Sequence, residues 1–292
     1  EWGLGFPVAI ERLLEAHEAA DIDFCVVSNP VHYVKGKPEA EQLRLVWRAN
    51  EYAAEIQQRY PDRIVALAST IPGGGPEYVK DLERAIRDYK LRGVLINSSH
   101  EGRYPDTDAA TPFFELMNEL RAPIMVHAPA SSFGEDLMRP CRLISSLGRP
   151  FDEALSLARM IVLGVLERFP DLNLVVSHLG GGISEFIGRM DYAYEFGDAG
   201  AFLTGGPYEP LCITQKPSLY LQRVYLDTVS YHAPALLAAM YTVGASHLLF
   251  ASDAPPMLPL LPRAKKLIEE LPISPNDKQL IFRDNAAGLL GL

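Results

Sequence analysis

The sequence predicts an α/β fold, a (β/α)8 TIM-type barrel in which helices surround one parallel sheet. Short apolar segments alternate with helical segments along all 292 residues, and no internal repeat or low-complexity linker interrupts them. This alternation is typical of a parallel sheet buried on both faces. No G-x-G-x-x-G follows any strand, which disfavours the alternative, a doubly wound open sheet. One domain is therefore expected over residues 1–292.

Seven segments have the composition of buried strands, and a predicted helix separates each from the next. They are residues 23–28, 63–68, 93–97, 123–127, 172–178, 219–226 and 247–252. A (β/α)8 barrel has eight strands. Since the first recognisable pattern is a helix, the simplest completion places the first strand of the barrel upstream of Glu1.

The helices are predicted from apolar residues that recur every three to four positions. In the first, residues 10–20, Leu13 and Leu14 share one side and His17 is expected at the surface. The others are residues 39–59, 78–89, 112–120, 152–169, 184–196, 235–243, 263–271 and 277–290. Two long connections, residues 128–151 and 197–218, are expected to form a substrate lid at the C-terminal ends of the strands.

The composition is that of a globular protein and limits the partners. Hydrophobic residues make up 48% and charged residues 22%, and the net charge is −10 with no markedly basic stretch. Because nucleic-acid binding relies on clustered Lys and Arg, nucleic acid is not an expected partner. No apolar run approaches the ~20 residues of a membrane helix, so no membrane association is expected.

The three cysteines, Cys25, Cys141 and Cys212, are widely separated, and none belongs to a CxxC motif. This pattern argues against a disulfide framework and favours a reducing cytoplasm. All three are expected to be buried or inert thiols.

Three residues with metal-binding side chains, His127, His178 and Asp253, stand at or just after the ends of predicted strands. The C-terminal ends of barrel strands converge on one mouth, so these side chains are expected to lie close together. Imidazole and carboxylate are ligands of zinc, iron and manganese. One such histidine could simply bind a backbone carbonyl, but three residues at the same end of three strands indicate a site.

Three motifs surround these residues. They are Val126-His127-Ala-Pro, Ser177-His178-Leu-Gly-Gly-Gly182 followed by Gly188-Arg189, and Ala251-Ser252-Asp253-Ala-Pro255. In order and spacing they resemble the signatures of the amidohydrolase-2 family, and the resemblance covers nearly the whole chain. This family contains barrel metalloenzymes similar to aminocarboxymuconate-semialdehyde decarboxylase and γ-resorcylate decarboxylase.

The resemblance implies a role for each residue. His127 resembles a metal ligand, Asp253 a carboxylate ligand that also serves catalysis, and His178 an acid/base group beside the metal. Arg189 resembles an arginine that binds a substrate carboxylate, often across a dimer interface, and an ordinary salt bridge on the helix surface is its alternative. The implied cofactor is a divalent metal, Zn2+ first, with Mn2+ or Fe2+ as alternatives. A homodimer or a higher homo-oligomer is also implied.

One part of the family pattern is missing. The first strand should carry a His-x-His or a related Glu/Ala-x-His pair, and no such pair lies within a predicted strand of this sequence. Two protein ligands hold a catalytic ion weakly, since three plus a water is the usual set. The sequence leaves open whether residues upstream of Glu1 complete the ligands.

Two more polar residues are candidates for substrate binding. Asn97 ends one predicted strand, and His232 follows another. Asn is also favoured in turns for local hydrogen bonding, so Asn97 could serve the loop instead.

These features predict a metal-dependent, non-oxidative decarboxylase of an aromatic or unsaturated carboxylic acid. His178 and Asp253 would move the proton that replaces carbon dioxide, and Arg189 would neutralise a substrate carboxylate. The same site would also suit a metal-dependent hydrolase or hydratase, since one barrel hosts many chemistries. A non-catalytic barrel without the first-strand ligands is the third hypothesis.

Overall fold

The structure is a computed structural model that describes residues 10–129, 134–195 and 211–292. Parts of both long connections, residues 130–133 and 196–210, lie outside these ranges, so the expected substrate lid stays a prediction. The strands are β1 (Cys25–Val27), β2 (Ile64–Ala66), β3 (Ala68–Ser69), β4 (Val94–Asn97), β5 (Pro123–His127), β6 (Asn173–Val176), β7 (Tyr225–Asp227) and β8 (Leu248–Leu249).

All strand pairings are parallel and follow the order of the chain. β1 pairs with β2, and β3 to β8 form a six-stranded sheet in sequential order. β2 and β3 belong to one predicted strand, which changes partner at Leu67. This order confirms the predicted parallel α/β fold, whereas a doubly wound sheet would reverse its strand order. Within the described ranges no pairing joins β8 to β1, so the closed eight-stranded barrel stays a prediction.

Helices lie between the strands and cover the sheet. The α-helices are α1 (Ile10–Ala19), α2 (Glu39–Arg59), α3 (Pro76–Arg87), α4 (Thr111–Leu120), α5 (Glu135–Met138), α6 (Arg149–Val162), α7 (Val165–Arg168), α8 (Ser177–Gly180), α9 (Ile187–Glu195), α10 (Pro217–Leu221), α11 (Ala233–Val243), α12 (Leu261–Glu269), α13 (Pro275–Gln279) and α14 (Asn285–Leu290). Short 3-10 segments are Val31–Val34, Asp108–Ala110, Pro140–Arg142, Ile183–Glu185, Ala245–His247 and Leu258–Leu260, and π-helical segments are Ile144–Gly148 and Leu280–Asp284. Among the described helices, none combines the length and the apolar character needed to cross a bilayer.

The core forms where the central strands meet the helices. Ile96 of β4 and Val126 of β5 are fully buried in one cluster with Leu157 and Ile161 of α6. All four residues of β4 are buried, as expected for a strand covered on both faces. Burial of both strand faces therefore holds the C-terminal ends of β4, β5 and β6 in fixed positions.

The predicted strand over residues 219–226 is wrong in its first half. Residues Pro217–Leu221 form α10, and the strand itself is Tyr225–Asp227. A short apolar run fits a buried strand and a buried helix equally well. Pro217 favours the helix, because proline is tolerated in the first helical turn and its fixed φ suits the start of a helix.

His17 is buried, at 6% exposure, which corrects its expected position at the surface. Residues three and four apart share one helix face, so His17 lies on the side of Leu13 and Leu14. Cys25 is also buried, as predicted, whereas Cys141 and Cys212 are exposed. Of the two expected states, buried or inert, burial is therefore confirmed for Cys25 alone.

Candidate metal centre

His127, His178 and Asp253 lie together at the C-terminal ends of the strands. One nitrogen or oxygen atom of each lies within 4.8 Å of those of the other two. His127 is the last residue of β5, His178 follows β6, and Asp253 follows β8. Both histidines and the aspartate are only partly buried, so the group is accessible to a small molecule.

His127 has the properties of a metal ligand. Its Nδ1 atom is buried and has no hydrogen-bond partner. Burial, and after it the neighbouring His178, lowers the pKa of His127 to about 4. The imidazole is therefore neutral near pH 7, which is the form that donates a lone pair to a metal ion. Together with the oxygens of Asp253 it supplies donor types that zinc, manganese and iron accept, so these residues fit a divalent ion.

His178 is held by Glu153, a wholly buried residue of α6. The two carboxylate oxygens lie 2.9 and 3.0 Å from Nδ1 of His178. Burial opposes the charged form of the imidazole, but the carboxylates of Glu153 and Asp253 hold the pKa of His178 well above its usual value. Burial raises the pKa of Glu153 to about 7. His178 and Glu153 therefore titrate as a pair that shares a proton.

The other ring nitrogen of His178 faces Asp253. Its Nε2 atom lies 3.7 Å from Oδ2 of Asp253. Because Glu153 occupies Nδ1, Nε2 is the nitrogen left to exchange a proton with a bound molecule. Glu153 also accepts a hydrogen bond of 2.8 Å from the backbone N–H of Ala128, the residue after His127. One carboxylate thus fixes the ends of both β5 and β6.

A run of five left-handed residues, 178–182, follows β6 and is called here the His178 turn. It includes most of α8, which is therefore not a right-handed α-helix. The φ angles from His178 to Gly182 are 53°, 55°, 62°, 66° and 83°. Left-handed backbone costs roughly 1–2 kcal/mol for each residue that is not glycine. Asp227, buried at the end of β7, accepts hydrogen bonds from the backbone N–H of His178 at 2.8 Å and of Val229 at 3.0 Å. These bonds stabilise the strained start of the turn.

The turn packs directly on α6, and Gly181 makes this contact possible. A Cβ atom at Gly181 would lie 1.8 Å from the carbonyl oxygen of Pro150 and 2.7 Å from the backbone nitrogen of Ala154. No side chain fits in this space. The first turn of α6 therefore forms one wall of the site.

Asp152, next to Glu153, connects the same helical turn to the loop after β4. It accepts hydrogen bonds from the hydroxyls of Ser98, of Ser99 at 2.9 Å and of Tyr104 at 2.8 Å. Asp152 and Glu153 are both wholly buried. Sequence reasoning did not identify Glu153, Asp152 or Asp227 as site residues, because acidic residues are common in the first turn of any helix and at strand ends.

The predicted substrate-binding residues lie in different places. Asn97 pairs in register with His127, is 4% exposed, and has an Oδ1 atom without a hydrogen-bond partner. Arg189 is exposed on α9, and His232 is exposed at the start of α11. In the described part of the chain, no salt bridge joins Arg189 or His232 to His178 or Asp253, so their roles stay predictions.

Residues 29–292 match the family profile Amidohydro_2, which describes amidohydrolases. The chain therefore belongs to the amidohydrolase family. It is 26% identical over 278 residues to the 2-amino-3-carboxymuconate-6-semialdehyde decarboxylase of Dictyostelium discoideum, over 93% of this chain and 74% of that protein. It is 25% identical over 295 residues to the gamma-resorcylate decarboxylase of Rhizobium radiobacter, over 96% of this chain and 86% of that protein.

The fold also matches a solved decarboxylase. The 5-carboxyvanillate decarboxylase of Novosphingobium aromaticivorans, determined with bound manganese, has a TM-score of 0.85 and 22% sequence identity, and covers 96% of this chain and 80% of that one. This similarity shows a common α/β fold. The resemblance predicted from the three motifs is confirmed by the family match and by the named relatives.

Proposed function

We propose that the protein is a metal-dependent, non-oxidative decarboxylase of an aromatic or unsaturated carboxylic acid. The observation that supports this most strongly is the group formed by His127, His178 and Asp253. This group occurs in a chain of the amidohydrolase family. The two relatives from Dictyostelium discoideum and Rhizobium radiobacter are decarboxylases.

His127 and Asp253 hold the divalent ion in this proposal. A bound ion would supply positive charge that polarises the substrate carboxylate or a neighbouring oxygen. Zn2+ is the first candidate, and Mn2+ and Fe2+ suit the same donors. The manganese of the Novosphingobium decarboxylase supports a divalent cofactor.

His178 delivers the proton. Since Glu153 holds Nδ1, the proton moves from Nε2 to the substrate carbon that bears the carboxylate. A new C–H bond forms there, the bond to the carboxylate carbon breaks, and its electron pair remains on the ring or alkene carbon while carbon dioxide leaves. Asp253, 3.7 Å from Nε2, receives or returns a proton between turnovers.

The remaining assignments follow the family resemblance. Arg189 neutralises a substrate carboxylate from a neighbouring subunit, and Asn97 and His232 contact the substrate. A single-domain homodimer or larger homo-oligomer in the cytoplasm is proposed for the assembly. The partner is a small carboxylic acid rather than nucleic acid or a membrane.

Carbon dioxide release tests this function directly. Protein treated with Zn2+ or with Mn2+ would be incubated with a panel of hydroxybenzoates, with His178→Gln as the matched variant. Release that requires metal and is lost in His178→Gln is expected. Turnover of a lactone or an enol-acid without carbon dioxide release would favour the hydrolase or hydratase instead. No turnover at full metal occupancy would favour a non-catalytic barrel.

A further inference from the structure

Arg149 is a partly buried cation without a partner at the edge of the candidate metal centre. It is the first residue of α6. Its Nε atom is buried and has no hydrogen-bond partner. Among the described residues, none forms a salt bridge or a side-chain hydrogen bond with its guanidinium. A buried donor without an acceptor is unfavourable, so the Nε atom of Arg149 favours an acceptor that is not part of the chain, such as an anion.

Two features of α6 place Arg149 on the side of the helix that faces the reacting groups. Residues i and i+4 share one helix face, so Arg149 projects from the same face as Glu153, which binds His178 at 2.9 Å. The His178 turn packs on the same helical turn, where Gly181 meets the carbonyl oxygen of Pro150.

The carboxylates nearest to Arg149 in sequence are already engaged. Glu153 accepts hydrogen bonds at His178 and at the backbone of Ala128. Asp152 accepts them from Ser99 and Tyr104. Neither forms a salt bridge with the guanidinium of Arg149. A planar guanidinium binds carboxylates through two parallel hydrogen bonds, so the missing anion is best supplied by a carboxylate.

We propose that Arg149 binds a carboxylate of the substrate that is separate from the group facing His127 and Asp253. The preferred substrates are then aromatic or unsaturated acids with two anionic groups. This inference rests on the proposed function for the class of ligand. It places a carboxylate-binding cation within one chain, in contrast to Arg189, which is exposed on α9.

Binding of two unreactive probes tests the proposal. Isophthalate carries two carboxylates and benzoate carries one, and their dissociation constants would be measured by calorimetry on Mn2+-treated protein. The wild type is expected to bind isophthalate more tightly. Arg149→Gln should raise the dissociation constant of isophthalate by at least about 10-fold, as expected for loss of a desolvated charge partner. It should raise the dissociation constant of benzoate much less. Arg149→Lys should keep part of the preference, since it keeps the charge but not the planar fork.

Arg142→Gln is the matched control, because Arg142 is exposed on the preceding 3-10 segment and should leave both affinities unchanged. Thermal melting checks that each variant is folded. The proposal is overturned if the wild type does not prefer isophthalate, or if Arg149→Gln retains the preference. It is also overturned if Arg189→Gln abolishes the preference and Arg149→Gln does not. If Arg149→Gln does not fold, the proposal is overturned when Arg149→Lys prefers isophthalate over benzoate as strongly as the wild type does.

Carbon dioxide release is scored separately on the same preparations. A preference that depends on Arg149, without release from any acid tested, retains the role of Arg149 and rejects the decarboxylase. Release without such a preference retains the decarboxylase and rejects the role of Arg149.

Discussion

The carboxylate of Glu153 lies 2.9 Å from Nδ1 of His178, and no part of Glu153 reaches solvent. A buried carboxylate on one ring nitrogen fixes both the orientation of an imidazole and the position of its proton. The second ring nitrogen is thereby directed toward Asp253. The chemistry proposed for His178 therefore depends on a wholly buried residue of α6.

Glu153→Gln is expected to lower decarboxylation about 10- to 100-fold, the usual loss when an orienting partner is removed. The amide can donate to Nδ1 and so favour the tautomer with the proton on Nε2. Nitrogen NMR of labelled histidine would detect this change, which a loss of packing alone would not produce. Glu119→Gln, on an exposed helix surface, is the control. Wild-type activity together with an unchanged histidine spectrum would show that Glu153 does not position His178.

His127→Ala and Asp253→Asn are expected to weaken Mn2+ binding by at least about 10-fold, since even outer-sphere partners contribute this much. Both variants remove a donor atom from the group that lies within 4.8 Å. Equilibrium dialysis or Mn2+ EPR measures the affinity without any assay of turnover. His247→Ala, at the opposite end of β8, should bind the ion as the wild type does. Equal affinity in all four proteins would place the ion elsewhere.

Gly181→Ala is expected to lower the free energy of unfolding by about 3 kcal/mol or more, because left-handed strain adds to a steric clash. The new Cβ would lie 1.8 Å from the carbonyl oxygen of Pro150. Gly182→Ala is the matched control: its φ is 83°, but no atom lies within 4 Å of the added Cβ. The free energy of unfolding of Gly182→Ala should fall by only about 1 kcal/mol. Urea denaturation measures the free energy of unfolding of both variants. Similar decreases in the two variants would argue against the contact between the His178 turn and α6.

The three thiols are expected to react with Ellman's reagent in two groups. Burial raises the pKa of Cys25 to about 11, and the thiolate is the reactive form. At pH 8, Cys141 and Cys212 should therefore react quickly, and Cys25 only after unfolding in guanidinium. Cys25→Ser identifies the slow group. Rapid reaction of three thiols in the folded protein would contradict the burial of Cys25.

The order of the strands and the position of the histidines could be predicted from the sequence alone. Apolar runs separated by helices allow few arrangements other than a parallel sheet, and parallel strands bring their C-terminal ends together. The position of His127 in the site could be predicted because it is the last residue of a predicted strand, and it is the last residue of β5 in the structure. The resemblance added the expected roles, which the position of a residue does not reveal.

Glu153 and Arg149 could not be identified in the same way. A charged residue in the first turn of a helix is ordinary on any exposed helix, and nothing in the linear pattern distinguishes it from one that reaches a buried imidazole. The contact of α6 with the His178 turn depends on packing between segments about thirty residues apart. The predicted strand over residues 219–226 was wrong in its first half for a related reason. A short apolar run has no periodicity that distinguishes a helix such as α10 from a strand.

The His178 turn has a consequence for how this protein can evolve. Each of the five successive left-handed residues is strained unless it is glycine, so substitutions at Gly180 and Gly181, where a Cβ would also meet neighbouring atoms, are the most costly for folding. New substrate preferences would then arise mainly on the facing first turn of α6, where Arg149 has ordinary helical backbone. A directed-evolution library aimed at specificity should randomise position 149 and hold residues 178–182 constant.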